Sequence, residues 1–361
     1  MRARKRFDPA GLFGLLVVLC LGLLAGWHAV ADYFETLESA GVLLTSLARS
    51  ADEQISGSLR AVDFLLRDIA EEARDLRPPA GEARLEEYMR TRVRAFGEVR
   101  TAYVMDRQGL IWATTYPQNK GLVSDFREYF KAPRDAGPAG GLYISPPQLA
   151  RNNMLVIFVS RAIFGPGGDF RGVVGASLSP RYFEAVLGSA LPPGESGIRL
   201  VNLSGTVLTR LPDPARFIGA TTVQSTGLKD HLASGQGTTL VRTLTELDDR
   251  ERLIVYRTVG FPGTLVVAVS LTVDSVLAPW GKRAAVEGIV FLAASGIVLF
   301  LVRLSRRRAR KANQAEQQII ELTELNQGVI ANSQAGILAY RAEGPCVLAN
   351  EAASRITGGS A

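Results

Sequence analysis

The residues best suited to bind a small molecule occur in a long polar stretch between Tyr116 and Pro147. Its cationic and phenolic side chains include Arg127, Tyr129, Lys131, Arg134 and Tyr143. A guanidinium offers a planar fork of N–H donors that matches a carboxylate or phosphate, and long loops on a rigid scaffold often carry binding sites. We therefore expect an anionic or zwitterionic ligand here. The alternative is that Tyr129 and Phe130 pack in a core while the basic side chains are solvated.

The sequence does not contain the residue patterns of a metal site, a catalytic triad or a phosphate-binding loop. The two histidines, His28 and His231, lie far apart in the sequence, so a histidine-centred metal site or a catalytic triad is not expected. Residues 165–175 are rich in glycine but lack the Lys-Ser/Thr ending of a phosphate-binding loop, which favours a turn. We expect no catalytic residue, metal or cofactor in this chain. An extracytoplasmic enzyme tethered by its helices remains the alternative of a different class.

The positive charge is concentrated in two clusters. The net charge is +6, yet residues 32–283 hold 29 Lys and Arg against 28 Asp and Glu. The clusters are Arg2, Arg4, Lys5 and Arg6, and Arg303, Arg306, Arg307, Arg308, Arg310 and Lys311. Each flanks an apolar segment, which is typical of the cytoplasmic ends of membrane spans, so we expect no nucleic-acid partner.

Two apolar segments predict transmembrane helices, at residues 10–31 and 284–304. About 22 helical residues extend roughly 33 Å, enough to cross the hydrocarbon core of a bilayer. A cleavable signal peptide is the alternative for the first segment. The run is longer than a typical signal core, however, and Trp27 with His28 stands where an interfacial belt is expected.

The basic clusters place both chain ends in the cytoplasm. Residues 1–9 are then a cytoplasmic N-terminus, and residues 32–283 form an extracytoplasmic sensor. The predicted location is a bacterial inner membrane, crossed by more than one helix, with the sensor in the periplasm.

The sensor begins with a helical pattern. Apolar residues recur at helical spacing from Asp32 to about Leu76, which predicts a long helix ended by Pro78 and Pro79. A second helix is expected over residues 81–96.

The pattern then changes to short apolar runs separated by turn residues, which predict strands. The predicted strands are 100–105, 110–115, 154–164, 171–179, 197–202, 206–210, 238–242, 252–258 and 265–271, with short helices at 180–187 and 228–233. The fold class is therefore α+β, with two tandem antiparallel-sheet modules at about 80–190 and 191–272.

This order resembles the double Cache (double PDC) sensor family, whose modules are PAS-like. The resemblance is carried by Asp106-Arg107-Gln108-Gly109, Phe126-Arg127-Glu128-Tyr129-Phe130, Tyr143-Ile144-Ser145-Pro146-Pro147, Ser160-Arg161, Gly167 through Val174, Gly263 through Ser270, and Val276 through Trp280. Phe126 stands where the family usually has Asp, and the family's amino-acid-binding arrangement is not found. The resemblance therefore implies a ligand pocket in the first module without assigning amino acids to it.

The candidate ligand-binding residues follow from the loop and from this resemblance. They are Arg127, Tyr129, Tyr143, Ser145, Arg161 and Trp112, the last in the second strand of the first hairpin.

The chain beyond the second span predicts a signalling linker over residues 305–330. Ala312, Ala315, Ile319, Leu322, Asn326 and Val329 are spaced as the a and d positions of a coiled coil. We expect a homodimer through this linker, with a monomeric amphipathic helix as the alternative. Residues 331–361 resemble the opening of a PAS domain, of which they cover some 30 residues, so the output domain is expected beyond Ala361.

These features predict a transmembrane receptor that binds a small extracytoplasmic ligand and regulates a cytoplasmic enzyme. The resemblance implies a diguanylate cyclase as that enzyme, because this version of the double module is similar to those attached to cyclases. The sensor region of a histidine kinase is the alternative.

Overall fold

The computed structural model describes residues 9–76, 78–221, 225–245, 249–342 and 344–358. It divides into two units, one formed by residues 31–282 and the other by residues 1–30 with 283–361. The basic cluster predicted before the first span lies outside the described residues.

Residues 31–282 combine helices with two antiparallel sheets, which confirms the α+β class. The helices are α1 (Pro9–Arg74, of which residues 31–74 belong here), α2 (Glu82–Val93), α3 (Glu128–Asp135), α4 (Pro180–Ser189), α5 (Pro214–Phe217), α6 (Thr226–Ser234) and the first residues of α7 (Val273–Asn332). The strands are β1 (Val99–Met105), β2 (Ile111–Thr114), β3 (Tyr143–Ile144), β4 (Gln148–Leu149), β5 (Leu155–Phe164), β6 (Phe170–Leu178), β7 (Ser196–Asn202), β8 (Val207–Leu211), β9 (Thr238–Thr245), β10 (Arg250–Thr258) and β11 (Leu265–Thr272).

The two sheets repeat one strand order. The first is β2-β1-β6-β5-β3, with β4 also paired to β5, and the second is β8-β7-β11-β10-β9. In each, a hairpin occupies one edge and the last strand of the sheet pairs with the first strand of that hairpin.

Helix α1 supplies one side of the core for both sheets. Eight of its buried apolar residues recur at intervals of three and four, and they are Leu44, Ala48, Ala51, Ile55, Leu59, Val62, Leu66 and Ile69. This spacing places them on one face of a helix. They share a cluster with Ile157 and Val174 of the first sheet and with Val255 and Val267 of the second.

Two buried carboxylates on the same helix bind one arginine from each sheet. Asp63 Oδ1 accepts a bond from Arg161 Nε of β5 at 2.6 Å, and Asp52 Oδ2 accepts one from Arg257 Nε of β10 at 2.8 Å. Both carboxylates are only 7% exposed. Asp52 also accepts bonds from the Gly260 N–H at 2.7 Å and from the Ser56 hydroxyl at 2.9 Å. Burial by itself raises the pKa of Asp52, but these bonds and the Arg257 charge outweigh it and hold the pKa below the ordinary value.

The predicted helices and strand pairs are present within a few residues of their expected ends, except in the stretch from Tyr116 to Pro147. A loop was expected there, but it contains a turn of 3-10 helix (Pro117–Asn119) and α3. Helix α3 has few residues and an internal Pro133, so its sequence carries a weak helical signal. Tertiary packing stabilises it, because Tyr129, Phe130 and Pro133 are buried.

The second unit contains the apolar part of α1 and most of α7. Both helices are long and apolar enough to cross a membrane. Gly14 of α1 lies so close to Val302 of α7 that a Cβ there would collide with it, and His28 Nδ1 lies 3.1 Å from Glu287 Oε1. The two helices are therefore in direct contact along their apolar lengths.

Helix α7 continues through the predicted second span and the predicted linker to Asn332. It is followed by β12 (Leu338–Tyr340), β13 (Cys346–Ala349) and α8 (Glu351–Thr357). Asn350 caps α8, since its side-chain oxygen accepts the Ala353 N–H at 2.9 Å. The assignment of this segment to a PAS domain stays a prediction.

Candidate functional site

A cleft of about 240 Å³ lies on the face of the first sheet that is turned away from α1. Side chains alternate between the two faces of a strand, so Ala102 and Val104 of β1 join the core with α1 while Tyr103 faces the cleft. The lining residues are Arg100, Thr101, Tyr103, Ile111, Tyr116, Asn119, Leu122, Ser124, Phe126, Arg127, Tyr129, Gln148, Leu149, Ala150, Arg151, Asn152, Met154, Val156, Phe158 and Ser177.

Three aromatic rings from different elements meet at the cleft. The ring centroids of Tyr103 and Tyr129 are 5.9 Å apart, those of Tyr103 and Phe158 are 6.3 Å apart, and those of Tyr129 and Phe158 are 4.5 Å apart. Their arrangements are edge-on or tilted, which aromatic pairs favour. They give the cleft a firm apolar surface on which a carbon skeleton could lie.

Helix α3 is fixed to the sheet by a bond that depends on its internal proline. Pro133 has no N–H, so it cannot donate to the Tyr129 carbonyl four residues earlier as a helical residue would. The Ser160 hydroxyl of β5 donates to that carbonyl instead, at 2.6 Å, and Ser160 is fully buried. This contact sets the position of Tyr129 in the cleft.

Three arginines surround the opening. Arg127 directly precedes α3, with its guanidinium carbon 5.0 Å from the centroid of the Phe126 ring. Arg100 donates to the Ser179 hydroxyl at 3.2 Å, and Arg151 lies in the turn between β4 and β5. Within the described part of the chain, none of the three forms a salt bridge with a carboxylate, and the cleft lining contains no acidic residue. The local charge is therefore positive.

The hydroxyl of Tyr103 is buried and has no hydrogen-bond partner among the described residues. Tyr103 is only 2% exposed, and an unpaired buried hydroxyl carries a free-energy cost. Burial, with smaller contributions from Tyr129 and Tyr143, raises the pKa of Tyr103 well above its ordinary value. The group is thus a protonated donor at neutral pH.

The structure brings two of the six candidate residues to the cleft, namely Arg127 and Tyr129. Tyr143 packs against the same aromatic cluster without lining the cleft, and burial together with the Glu128 charge raises its pKa. Ser145 is buried, where its hydroxyl donates to the Pro146 carbonyl and accepts the Phe158 N–H. Its bonds fix the neighbouring backbone rather than face the cavity.

The other two candidates lie on the opposite face of the sheet. Trp112 is buried in the core shared with α1, and Arg161 is bound to Asp63 of that helix. Arg161 follows Ser160, and successive residues of a strand point to opposite faces. Neither side chain lines the cleft.

Sequence reasoning missed Tyr103, Phe158, Arg100 and Arg151. Tyr103 and Phe158 sit inside predicted strands, where an aromatic residue signals only a packed position. Arg151 begins the polar run Arg151-Asn152-Asn153 between two apolar segments, which was a usable sign of an exposed turn.

Among the described residues, no group of three or more His, Cys, Asp or Glu side chains is clustered as metal ligands would be.

Comparison with known proteins identifies the family. The sequence model of the Cache domain matches residues 35–280, which is more than half of the chain. The chain therefore belongs to the Cache domain family. No curated protein matches its sequence significantly.

Solved structures with the same fold include extracellular sensor domains. The extracellular domain of a protein assigned as a histidine kinase has 24% identity and a TM-score of 0.59, over 68% of this chain and 99% of that one. The ligand-binding domain of the Pseudomonas fluorescens chemoreceptor CtaA, in complex with L-serine, has 18% identity and a TM-score of 0.51, over 66% and 99%. The sensory domain of the Campylobacter jejuni chemoreceptor Tlp3, with isoleucine bound, has 12% identity and a TM-score of 0.51, over 68% and 97%.

Proposed function

We propose that this member of the Cache domain family is a transmembrane receptor that binds a small anionic or zwitterionic ligand in the cleft and regulates a cytoplasmic output. The observation that carries the proposal is the cleft itself. Among the described residues, it joins three arginines that have no carboxylate partner, an aromatic surface and a buried hydroxyl that has no hydrogen-bond partner, and these are groups that a polar ligand would satisfy.

The continuity of the helices supports a role in signalling. Helix α1 packs on the back of the sheet that bears the cleft, and it is continuous with an apolar segment long enough to span a membrane. Helix α7 likewise connects β11 to a second such segment. We propose a bacterial inner-membrane location with residues 32–283 in the periplasm.

The repeated strand order supports two tandem modules of the double Cache type, with the ligand in the first. For the output we propose a diguanylate cyclase, with the sensor region of a histidine kinase as the alternative. Sequencing the gene downstream of the Ala361 codon tests this choice. A Gly-Gly-Asp/Glu-Glu-Phe run would establish the cyclase, whereas a histidine-containing dimerisation helix with an ATP-binding domain would establish the kinase.

Dimerisation through the linker is part of the proposal. Ile319, Leu322 and Val329 of the predicted seam are 64%, 59% and 63% exposed in the single chain. A second copy would bury these side chains as a coiled coil does.

Ligand binding is tested on the complete chain in lipid nanodiscs. The chain is titrated by calorimetry with a panel of organic acids, amino acids and amines, and Arg127→Ala is titrated in parallel. We expect at least one anion or zwitterion to bind, and Arg127→Ala to weaken it about tenfold or more, since hydrogen bonds to charged groups are worth about 1.5–3 kcal/mol. If the wild type and Arg127→Ala bind the ligand with equal affinity, Arg127 does not contact the ligand. If no compound binds to the wild type, the receptor proposal is refuted.

A further inference from the structure

The cleft differs from the rest of the sensor in how its arginines are paired. Elsewhere in residues 31–282 arginines are commonly bound to carboxylates, as Arg67, Arg161 and Arg257 are. Arg100, Arg127 and Arg151 all line one cavity and form no such pair within the described part of the chain. Guanidinium groups that share a cavity repel one another unless an anion lies between them.

We infer that the ligand of the cleft is a small organic dianion, a dicarboxylate of roughly four to six carbons, and not an amino acid. The inference rests on the proposed receptor function and deepens it by naming the ligand class. Two carboxylates offset the guanidinium charges, and each can accept paired N–H donors from an arginine fork.

The lining argues against an ammonium group. The charged amine of an amino acid is costly to remove from water unless an opposite charge lies beside it. Among the described residues, the lining supplies cations, amides and hydroxyls but no Asp or Glu. An ammonium there would lie close to three positive charges without a counter-charge.

The unpaired hydroxyl of Tyr103 supplies a further donor. A ligand carboxylate would be an acceptor for this hydroxyl, which has no hydrogen-bond partner among the described residues. The carbon chain between two carboxylates would lie against Tyr129 and Phe158. The size agrees, since about 240 Å³ is below the usual range of sites for drug-sized ligands.

Three ligands with matched skeletons test the inference on the complete chain in nanodiscs at pH 7. Succinate carries two carboxylates, aspartate adds an ammonium, and butyrate removes one carboxylate; glutarate and adipate extend the chain. We expect the best dicarboxylate to bind at least about tenfold more tightly than aspartate and butyrate, because each lost charged contact costs roughly that factor.

The variants Arg127→Gln and Arg151→Gln each remove one charge from the rim, and each should weaken the dicarboxylate about tenfold or more. Arg181→Gln is the matched control, since Arg181 is exposed on α4 and does not line the cleft. The affinity of Arg181→Gln for the dicarboxylate should equal that of the wild type. Thermal unfolding of each variant, measured by tryptophan fluorescence, verifies that the fold is intact.

The outcomes separate this inference from the receptor proposal. Binding of aspartate or another amino acid as tight as that of the best dicarboxylate overturns the inference and leaves the receptor proposal standing. The same holds if inorganic phosphate binds and no dicarboxylate does. If neither dicarboxylates nor amino acids, amines or phosphate bind, both fail.

Discussion

The ion pair between Asp52 and Arg257 gives the most direct test of how α1 is held to the second sheet. In Asp52→Asn the carboxylate that accepts from Arg257, Gly260 and Ser56 is replaced by a neutral amide. The Arg257 side chain is only 24% exposed and would lose its counter-charge. Removing one partner of a buried pair costs about 3–5 kcal/mol.

This cost corresponds to a measurable shift in thermal unfolding. For a domain of this size each kcal/mol lowers the Tm by roughly 2–4 °C, so we expect a decrease of roughly 6–20 °C. The assay follows tryptophan fluorescence of the complete chain in nanodiscs, because Trp112 is buried in the core that contains α1. The matched control is Asp68→Asn on the same helix, whose side chain is 42% exposed and pairs with Arg92. An exposed pair contributes about 0–1 kcal/mol, so the control should change the Tm by no more than about 4 °C.

The direction of the Asp52 pKa shift predicts how this stabilisation changes with pH. The pKa of Asp52 in the folded chain lies below its ordinary value of 3.8. Such a group stabilises the fold fully above the ordinary pKa, and the stabilisation is lost as the pH falls through the lower folded pKa. The difference in Tm between wild type and Asp52→Asn should therefore stay constant from pH 7 to pH 5 and narrow only below 3.8. A difference no larger than that of the control at pH 7, or one that already narrows above pH 5, would refute the reasoning.

Three further perturbations have defined outcomes. Tyr103→Phe removes the unpaired buried hydroxyl, so the ligand-free chain should gain about 1–3 kcal/mol of unfolding free energy while ligand affinity falls; a loss of stability would show that the hydroxyl is already satisfied. His231 is buried, its ring nitrogens lie 2.9 and 3.0 Å from two threonine hydroxyls, and burial lowers its pKa below the ordinary 6.5. The unfolded chain then takes up a proton first, so stability should decrease as the pH falls below 6.5 and level off beneath the folded pKa. In His231→Gln, thermal unfolding measured from pH 8 to 5 should no longer show this decrease in stability below pH 6.5. An unchanged pH profile would show that His231 does not cause the decrease. Leu322→Cys should cross-link in membranes into a disulfide dimer if the linker pairs in parallel, whereas Arg181→Cys, on an exposed face of the sensor, should not; monomer alone from Leu322→Cys would count against the coiled coil.

The sequence predicted the scaffold better than the site, for a physical reason. The buried stripe of α1 repeats at helical spacing over many turns, and the strands are apolar runs bounded by Gly, Pro and Asp turns, so both patterns are local. Helix α3 was missed because its stability comes from packing and from the Ser160 bond, which joins residues distant in the chain.

Site residues depend on register, which is not local. Ser160 and Arg161 are adjacent, yet one contacts the cleft side of the sheet and the other contacts α1. Arg161 lies next to a residue of the cleft side in the sequence, yet its partner is Asp63, 98 residues away, and not a ligand. The sequence could not distinguish these roles, and the structure places the loop arginine Arg127 in the lining of the cleft.

The adjacency of Ser160 and Arg161 has a mechanical consequence. The hydroxyl of Ser160 holds the Tyr129 carbonyl beneath the cleft, and the guanidinium of Arg161 holds Asp63 on α1. Strand β5 therefore forms one side-chain hydrogen bond on each face of the sheet, to α3 on the cleft side and to α1 on the other. A ligand that displaces Tyr129 would pull on α1 through two polar contacts of 2.6 Å each and the single peptide unit that joins Ser160 to Arg161.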